Sequence, residues 1–475
     1  MIDTITAFST VSESFSAAAT APPEEMPAKI PSRAASARVV SSASCWETSI
    51  ESLTHDGKGV AHLDGKATFI HGSLPGEQVR FLYTGRWRKY DEGRVVEVLQ
   101  ASSERVEPRC SQFGICGGCS LQHQAHEAQV RAKQQAMLDA LKHIGKVTPD
   151  SVLPPLLGAA TWGYRRKARL GVRYVPKKGG ALVGFRERGS SRVADIECCH
   201  VLHPRVGELL PALRELIDGL SGREQVPQIE MAMGDDACVL IFRLLTAPDS
   251  DDIAALSAFG PRHGVEIYLQ EGGPETVRPL DGVGVELTYD LPEFDLRFHF
   301  LPSDFTQVNS DINRQMVHRA VEMLALTPQD RVLDLFCGLG NFTLPLARRA
   351  GSVTGVEGDA GLVVRARDNA ARNGLANTAF YTANLYEALT QEPWLNQRFD
   401  KVLLDPPRSG AQEVLAHLPQ LGAGRIVYVS CYPGTLARDA GILVHEHGYR
   451  LRSAGIMDMF PHTAHVESIA LFERQ

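Results

Sequence analysis

Arg331-Val-Leu-Asp-Leu-Phe-Cys-Gly-Leu-Gly-Asn-Phe-Thr343 is the stretch on which the fold turns. A nearly continuous apolar run enters a glycine-bearing loop and then a helical pattern, the signature of a buried parallel strand handing over to its crossover helix. Three more such runs follow: Ser352-Val-Thr-Gly-Val-Glu357, Lys401-Val-Leu-Leu-Asp405 and Arg425-Ile-Val-Tyr-Val-Ser430. Strands alternating with helices predict a doubly wound α/β sheet over about the last 150 residues, with ligands at the carboxyl ends of its strands. Gly338 and Gly340 let the backbone approach a ligand, but Thr343 stands where a dinucleotide fingerprint has its third glycine. Glu357 ends the second strand, where an acid holds two ribose hydroxyls. NAD and S-adenosylmethionine both carry those hydroxyls, so this pair of features does not choose between them.

The third of these runs ends in Asp405-Pro-Pro-Arg408 and the last in Ser430-Cys431. Amine methyltransferases with a related Pro-Pro turn place an aromatic residue next; Arg408 is not one. A cysteine at the adjacent strand end sits instead where cofactor and substrate meet, which also disfavours a dehydrogenase. A lone cysteine is usually a small buried residue, and that reading suits Cys45, Cys238 and Cys337. For Cys431 the neighbouring motifs favour a nucleophile. His462, His465 and Glu467 imitate a metal site, yet their spacing is not that of a helical zinc motif.

Working outward, residues 1–44 are rich in Ala, Ser, Thr and Pro and are expected to be disordered, with Met26 an alternative start. Residues 45–102 read as a small β-barrel: Asp64-Gly65 between two apolar runs is a hairpin turn. Its later part interleaves Arg80, Arg86, Arg88, Lys89 and Arg94 with Phe81, Tyr83, Trp87 and Tyr90, a pattern that fits either an RNA surface or an ordinary solvated edge. Residues 103–304 form a mixed α+β central region that includes the basic segment 161–192, expected to bind RNA, and a helix around 123–144 expected to pack on the C-terminal α/β domain. Cys110-x5-Cys116-Gly-Gly-Cys119 places three thiols in one loop, with Cys198 or Cys199 as a fourth. Four thiolates suit zinc or a [4Fe-4S] cluster.

The 475 residues, 44% hydrophobic and 22% charged, exclude a mainly disordered chain and predict several domains. No apolar run is long enough to span a membrane, no secretory signal is evident, and an odd count of nine cysteines does not suggest a disulfide scaffold. A cytoplasmic location is expected. The net charge of −7 does not exclude nucleic acid. Residues 161–192 carry ten basic groups and only Glu187 as an acid, so this segment is +9 and the rest of the chain −16.

Leu333-Asp-Leu-Phe-Cys-Gly-Leu-Gly-Asn-Phe, Asp405-Pro-Pro-Arg, Val429-Ser-Cys431 and Phe460-Pro-His-Thr-Ala-His-Val-Glu467-Ser, together with Phe305-Thr-Gln307-Val-Asn, resemble the signature segments of the S-adenosylmethionine-dependent RNA uracil-5-methyltransferases. The match runs from about residue 46 to the end and is nearest the 23S ribosomal RNA branch. The resemblance implies a Rossmann-like methyltransferase domain over 305–475, an OB-like TRAM barrel over 45–102 and an iron–sulfur central domain over 103–304. It implies Cys431 as nucleophile and Glu467 as proton acceptor. Gln307, Phe336, Asn341, Glu357, Asn384 and Asp405 fall at its cofactor-binding positions, and Cys110, Cys116, Cys119 and Cys199 at its [4Fe-4S] ligands. Carbon 5 of uracil is too weak a nucleophile alone; a thiolate adding at carbon 6 makes an enolate of it, and a base then removes the carbon 5 proton. The expected partner is 23S ribosomal RNA, acted on by a monomer. Other readings are the same chemistry on a transfer RNA or another ribosomal uridine, and a non-catalytic RNA-binding iron–sulfur protein.

Overall fold

The computed structural model describes residues 45–387, 389 and 392–474. The segment 1–44, expected to be disordered, lies outside the described residues. The four apolar runs pair side by side in an eight-stranded sheet, in the order Thr378–Thr382, Ser352–Glu357, Arg331–Leu335, Lys401–Leu404, Arg425–Ser430, Glu467–Arg474, Tyr449–Met457, Ser151–Val152. The first five strands are parallel, and Glu467–Arg474 runs antiparallel between its two neighbours. Side chains alternate across this sheet, as the period of two requires. Val332, Leu403, Val427 and Val429 join the core under the helices Ser310–Leu324 and Ala360–Arg372. Leu333, Val402, Leu404, Ile426 and Tyr428 join the core on the other face.

That second face is covered from two places in the chain. Pro433–His445 is one cover, and His126–Ala140, continued by a π-turn over Leu141–Gly145, is the other. Val130, Met137, Leu141 and Val147 belong to the same core as the residues on this face of the eight-stranded sheet. Ser151–Val152 then adds a short parallel strand at the sheet's edge, so the segment 126–152 is part of the C-terminal layer although about 300 residues separate it from its partners.

Strands between Trp46 and Gln100 form a six-stranded sheet around Ile50, Ala61, Ile70, Val79 and Phe81. Leu63 pairs with Lys66 across Asp64 and Gly65, whose φ values of 52° and 77° are those a two-residue hairpin turn requires. A third, six-stranded sheet spans Lys167–Val175 to Arg278–Pro279 and packs on Leu210–Gly219 and Ser250–His263. Part of the +9 segment is engaged inside the fold. Arg166 pairs with Asp235, Lys167 Nζ donates to the Pro302 and Asp304 carbonyls, and Arg188 donates to the Cys119 carbonyl. No helix among the described residues is long and apolar enough to cross a membrane.

Candidate active site

The parallel strands end together, and each end delivers one polar group to a cavity of about 570 Å³. After Leu335 the chain reverses through Phe336, Gly338 and Gly340, with φ of 65°, 53° and 88°. A Cβ on Gly340 would stand 2.6 Å from Leu344 Cδ1, so both conformation and space demand glycine there. Thr343, in place of the third glycine, hydrogen-bonds the carboxylate of buried Asp334 through its hydroxyl. Burial pushes Asp334 up to about 8.

Glu357 accepts from the amides of Gly338 and Asp359, one at each oxygen and both at 3.0 Å. Its carboxylate is thereby fixed, with lone pairs left for hydroxyl donors. Asn341 has its amide engaged by protein: Oδ1 accepts from Tyr289 and Asn313 at 3.0 Å, and Nδ2 donates to Asn313 at 2.9 Å. Asn384 turns its amide to Glu387 and accepts from the Tyr386 amide. Gln307, Phe336, Asn341, Glu357, Asn384, Asp405, Cys431 and Glu467 all line this one cavity. Sequence reasoning passed over Tyr289, Leu362 and Tyr386, which line it too. Tyr386 meets Phe336 at 5.7 Å between ring centroids. Their only sequence signal was aromatic or apolar character, in a strand for Tyr289, a helix for Leu362 and a turn for Tyr386.

Sheet register sets the reactive corner. Ser430 pairs with Ser468, so Cys431 and Glu467, one residue further in each antiparallel direction, stand side by side. Cys431 immediately precedes Tyr432, the N-cap of Pro433–His445, at the end of a helix that favours negative charge. Burial nonetheless pushes its thiol up to about 11, Glu467 and Asp405 add to the rise, and Arg408 opposes it. Burial likewise lifts Asp405 to about 7 and holds Glu467 well above the usual carboxylate range. Arg408 donates to His465 Nδ1 at 3.0 Å. A guanidinium can only donate, so Nδ1 is the acceptor and a neutral His465 carries its hydrogen on Nε2. Burial, then Arg408 and Arg165, push that imidazole down to about 4.

A second constellation lies in the central region. Cys110, Cys116, Cys119 and Cys199 line one small pocket with Phe113, Phe185 and Ile196. Cys198 does not line it; its sulfur stands 3.8 Å from His200 Nδ1. Burial raises the Cys116 thiol, and pushes Cys119 and Cys199 up to about 12 and 11. Among the described residues, no three of these side chains converge as ligands of a single ion.

Residues 284–475 match the family described as tRNA (Uracil-5-)-methyltransferase. The chain is 56% identical over 426 residues to the 23S rRNA (uracil(1939)-C(5))-methyltransferase RlmD of Methylococcus capsulatus, covering 90% of this chain and 96% of that protein. This chain belongs to the RNA uracil-5-methyltransferase family. The enzyme of the same title from Alkalilimnicola ehrlichii is also 56% identical, over 431 residues, covering 90% of this chain and 97% of its own length. The fold is that of a uracil-5-methyltransferase along nearly its whole length. The crystal structure of the Pyrococcus abyssi tRNA (uracil-54, C5)-methyltransferase with S-adenosyl-L-homocysteine superposes with a TM-score of 0.69, at 24% identity, over 90% of this chain and 99% of that one.

Proposed function

We propose that this chain methylates carbon 5 of a uridine in 23S ribosomal RNA with S-adenosylmethionine as methyl donor, the uridine being the one numbered 1939 in the names of its curated relatives. The observation that carries this reading is the convergence of Cys431 and Glu467, brought together by the sheet register, in the same cavity as Glu357. When bound, S-adenosylmethionine supplies a sulfonium-activated methyl group to carbon 5. Glu357 would hold its ribose, Phe336, Leu362 and Tyr386 its flat base, and Gln307, Asn341 and Asn384 the remaining wall. The cavity lies within the roughly 300–1,000 Å³ range of small-molecule sites.

The target base has to leave its stack to reach this depth. The thiolate of Cys431 forms a bond to carbon 6, and the ring's π electrons move to the carbonyl at carbon 4, which makes carbon 5 nucleophilic. Once carbon 5 is methylated, Glu467 takes its proton. That electron pair re-forms the 5,6 double bond and expels Cys431 as thiolate, so the thiol gives up its own proton only once, to solvent, on entry. A carboxylate whose proton affinity is raised by burial is a stronger base than one in water. Asp405 faces the same space, beside Pro406 and Pro407.

The thiol pocket is read as the seat of a [4Fe-4S] cluster held by Cys110, Cys116, Cys119 and Cys199. Each iron of such a cube takes its own thiolate, so the ligands stand farther apart than four groups around one zinc ion. Four thiols lining one small pocket are what supports this reading. Residues 45–102 are read as a TRAM-type RNA-binding barrel, where Trp87 stacks on Tyr90 at 5.0 Å and Arg86 covers Tyr83. Residues 103–304 are read as the cluster-bearing central domain and 305–475 as the catalytic domain, working as a cytoplasmic monomer.

Mapping 5-methyluridine in 23S RNA from cells lacking this gene tests the assignment. Loss at one uridine, restored by the wild-type chain and not by Cys431→Ala, is expected; an unchanged map refutes it. Iron and sulfide analysis of anaerobically purified protein tests the cluster, and stoichiometric zinc without sulfide would refute it.

A further inference from the structure

The residues leading to Glu467 have no regular structure of their own. Residues 458–466 leave one strand and return as another, and they carry His465 into the cavity just before Glu467 enters the sheet. His462, inside this loop, has a left-handed backbone with φ of 65°, a conformation that a non-glycine residue keeps only when its surroundings impose it.

Those surroundings are the segment that follows Cys119. The amides of Ser120 and Leu121 both donate to the His462 carbonyl at 3.0 Å. The Ser120 hydroxyl accepts from the Ala464 amide at 2.8 Å. Gln129 accepts from the His462 amide at 2.9 Å, while its own NH₂ donates to the carbonyls of Leu121 and Gln124. Gln129 is fully buried and so joins the cysteine loop to the loop before Glu467 in one side chain. Trp162 stacks on the His462 ring at 3.7 Å, and Tyr164 donates to the Pro461 carbonyl.

We propose that Ser120 and Gln129 are positioning residues for Glu467: they transmit the shape of the cysteine loop to the backbone that aims the base. The inference rests on the catalytic reading above and deepens it. The two residues touch neither Cys431 nor the cavity walls around Glu357. Loosening them therefore leaves thiolate addition and methylation intact and slows removal of the carbon 5 proton, the step on which release of Cys431 waits. Even about 1 Å of displacement of a reacting group slows a step by roughly a hundredfold. The order of the cysteine loop thereby bears on a reaction that passes no electron.

The test uses the full-length protein, a ribosomal RNA fragment containing the target uridine, and denaturing gels that retain only covalently bound RNA. Gln129→Leu and Ser120→Ala are expected to accumulate methylated adduct, with release slowed at least about tenfold relative to adduct formation. Ser120→Thr, which keeps the hydroxyl, restores release, and S-adenosylhomocysteine affinity stays within about twofold in all variants because Glu357 is untouched. Release at the wild-type rate in both variants overturns the proposal. So does a parallel fall in adduct formation, release and cofactor affinity, which marks a general loss of structure. RNA carrying 5-fluorouridine separates this from the reading beneath it, since carbon 5 then holds no removable proton. If the wild-type chain forms no stable adduct with that RNA, the covalent mechanism itself fails and this inference falls with it.

Discussion

Alkylation of Cys431 by iodoacetamide, followed by peptide mass spectrometry against the other eight cysteines, measures how strongly the site desolvates its proposed nucleophile. With its thiol at about 11, Cys431 is about 0.1% thiolate at pH 8, against roughly a quarter for a free cysteine near 8.5. The population difference is about two hundredfold. A more basic thiolate is also intrinsically more reactive, by about 10- to 18-fold over 2.5 units at a Brønsted slope of about 0.4–0.5. The free enzyme's Cys431 is therefore expected to react roughly 10- to 25-fold more slowly than a free thiol at pH 8. Its rate climbs about tenfold per pH unit up to about pH 10, because the thiolate fraction does so below the midpoint. Arg408→Gln removes the one positive charge that lowers the thiol. A shift of about one further unit slows alkylation about threefold after the same reactivity offset. A rate that levels off by pH 9, or an Arg408→Gln protein that alkylates faster than wild type, would refute the argument that burial and the two carboxylates dominate this site.

Four further outcomes are expected. Glu467→Gln retains the shape of the site without a base, so a denaturation-resistant RNA–protein adduct should accumulate; its absence on a gel that shows the wild-type complex would remove Glu467 from the proton-transfer step. Glu357→Gln should weaken S-adenosylhomocysteine by roughly 1.5–3 kcal/mol in calorimetry, the worth of hydrogen bonds to a charged acceptor, and a change under threefold would count against ribose binding. Lys133 and Asp458 are both 2% exposed and 2.6 Å apart, so Lys133→Met should destabilise the catalytic layer by about 3–5 kcal/mol in denaturant titrations. The pair also predicts acid lability. Burial raises the Asp458 carboxyl, but the hydrogen bond from His126 and the Lys133 charge outweigh it and hold it below its usual value. That stabilisation is fully present above the unfolded carboxylate value of about 3.9 and fades as pH falls through the lower folded one, a slope that Asp458→Asn should flatten.

What could be read from the sequence was local. The four parallel strands announced themselves because both faces of the sheet are covered, and Asp64-Gly65 announced its hairpin because two adjacent positive φ values leave few alternatives. The same locality limited the site. Cys431 and Glu467 were singled out separately by motif, yet their adjacency depends on the last strand inserting antiparallel beside the fifth, which no local pattern encodes. Gln129 and Lys133 are polar and sit in an Ala- and Gln-rich helix, where nothing local marks them as buried. Both are buried because their partners, His462 and Asp458, arrive more than 300 residues later. The basic run of 161–192 was legible as charge, but its acceptors at Asp235, Pro302, Asp304 and Cys119 were not.

The insertion of Glu467–Arg474 between Arg425–Ser430 and Tyr449–Met457 has a consequence for how the chain is made. Synthesis runs from the N-terminus, so the helix His126–Ala140 emerges early and its apolar side waits while more than 300 residues are added. The sheet it covers has an open seam until the final strand clears the ribosome. Folding of this layer thus waits on its last strand, with high-separation contacts closing last. A chain that stops before Glu467 would lack an interior strand and the proposed base with which it begins, so a truncated product is an unfinished sheet with no methylating activity.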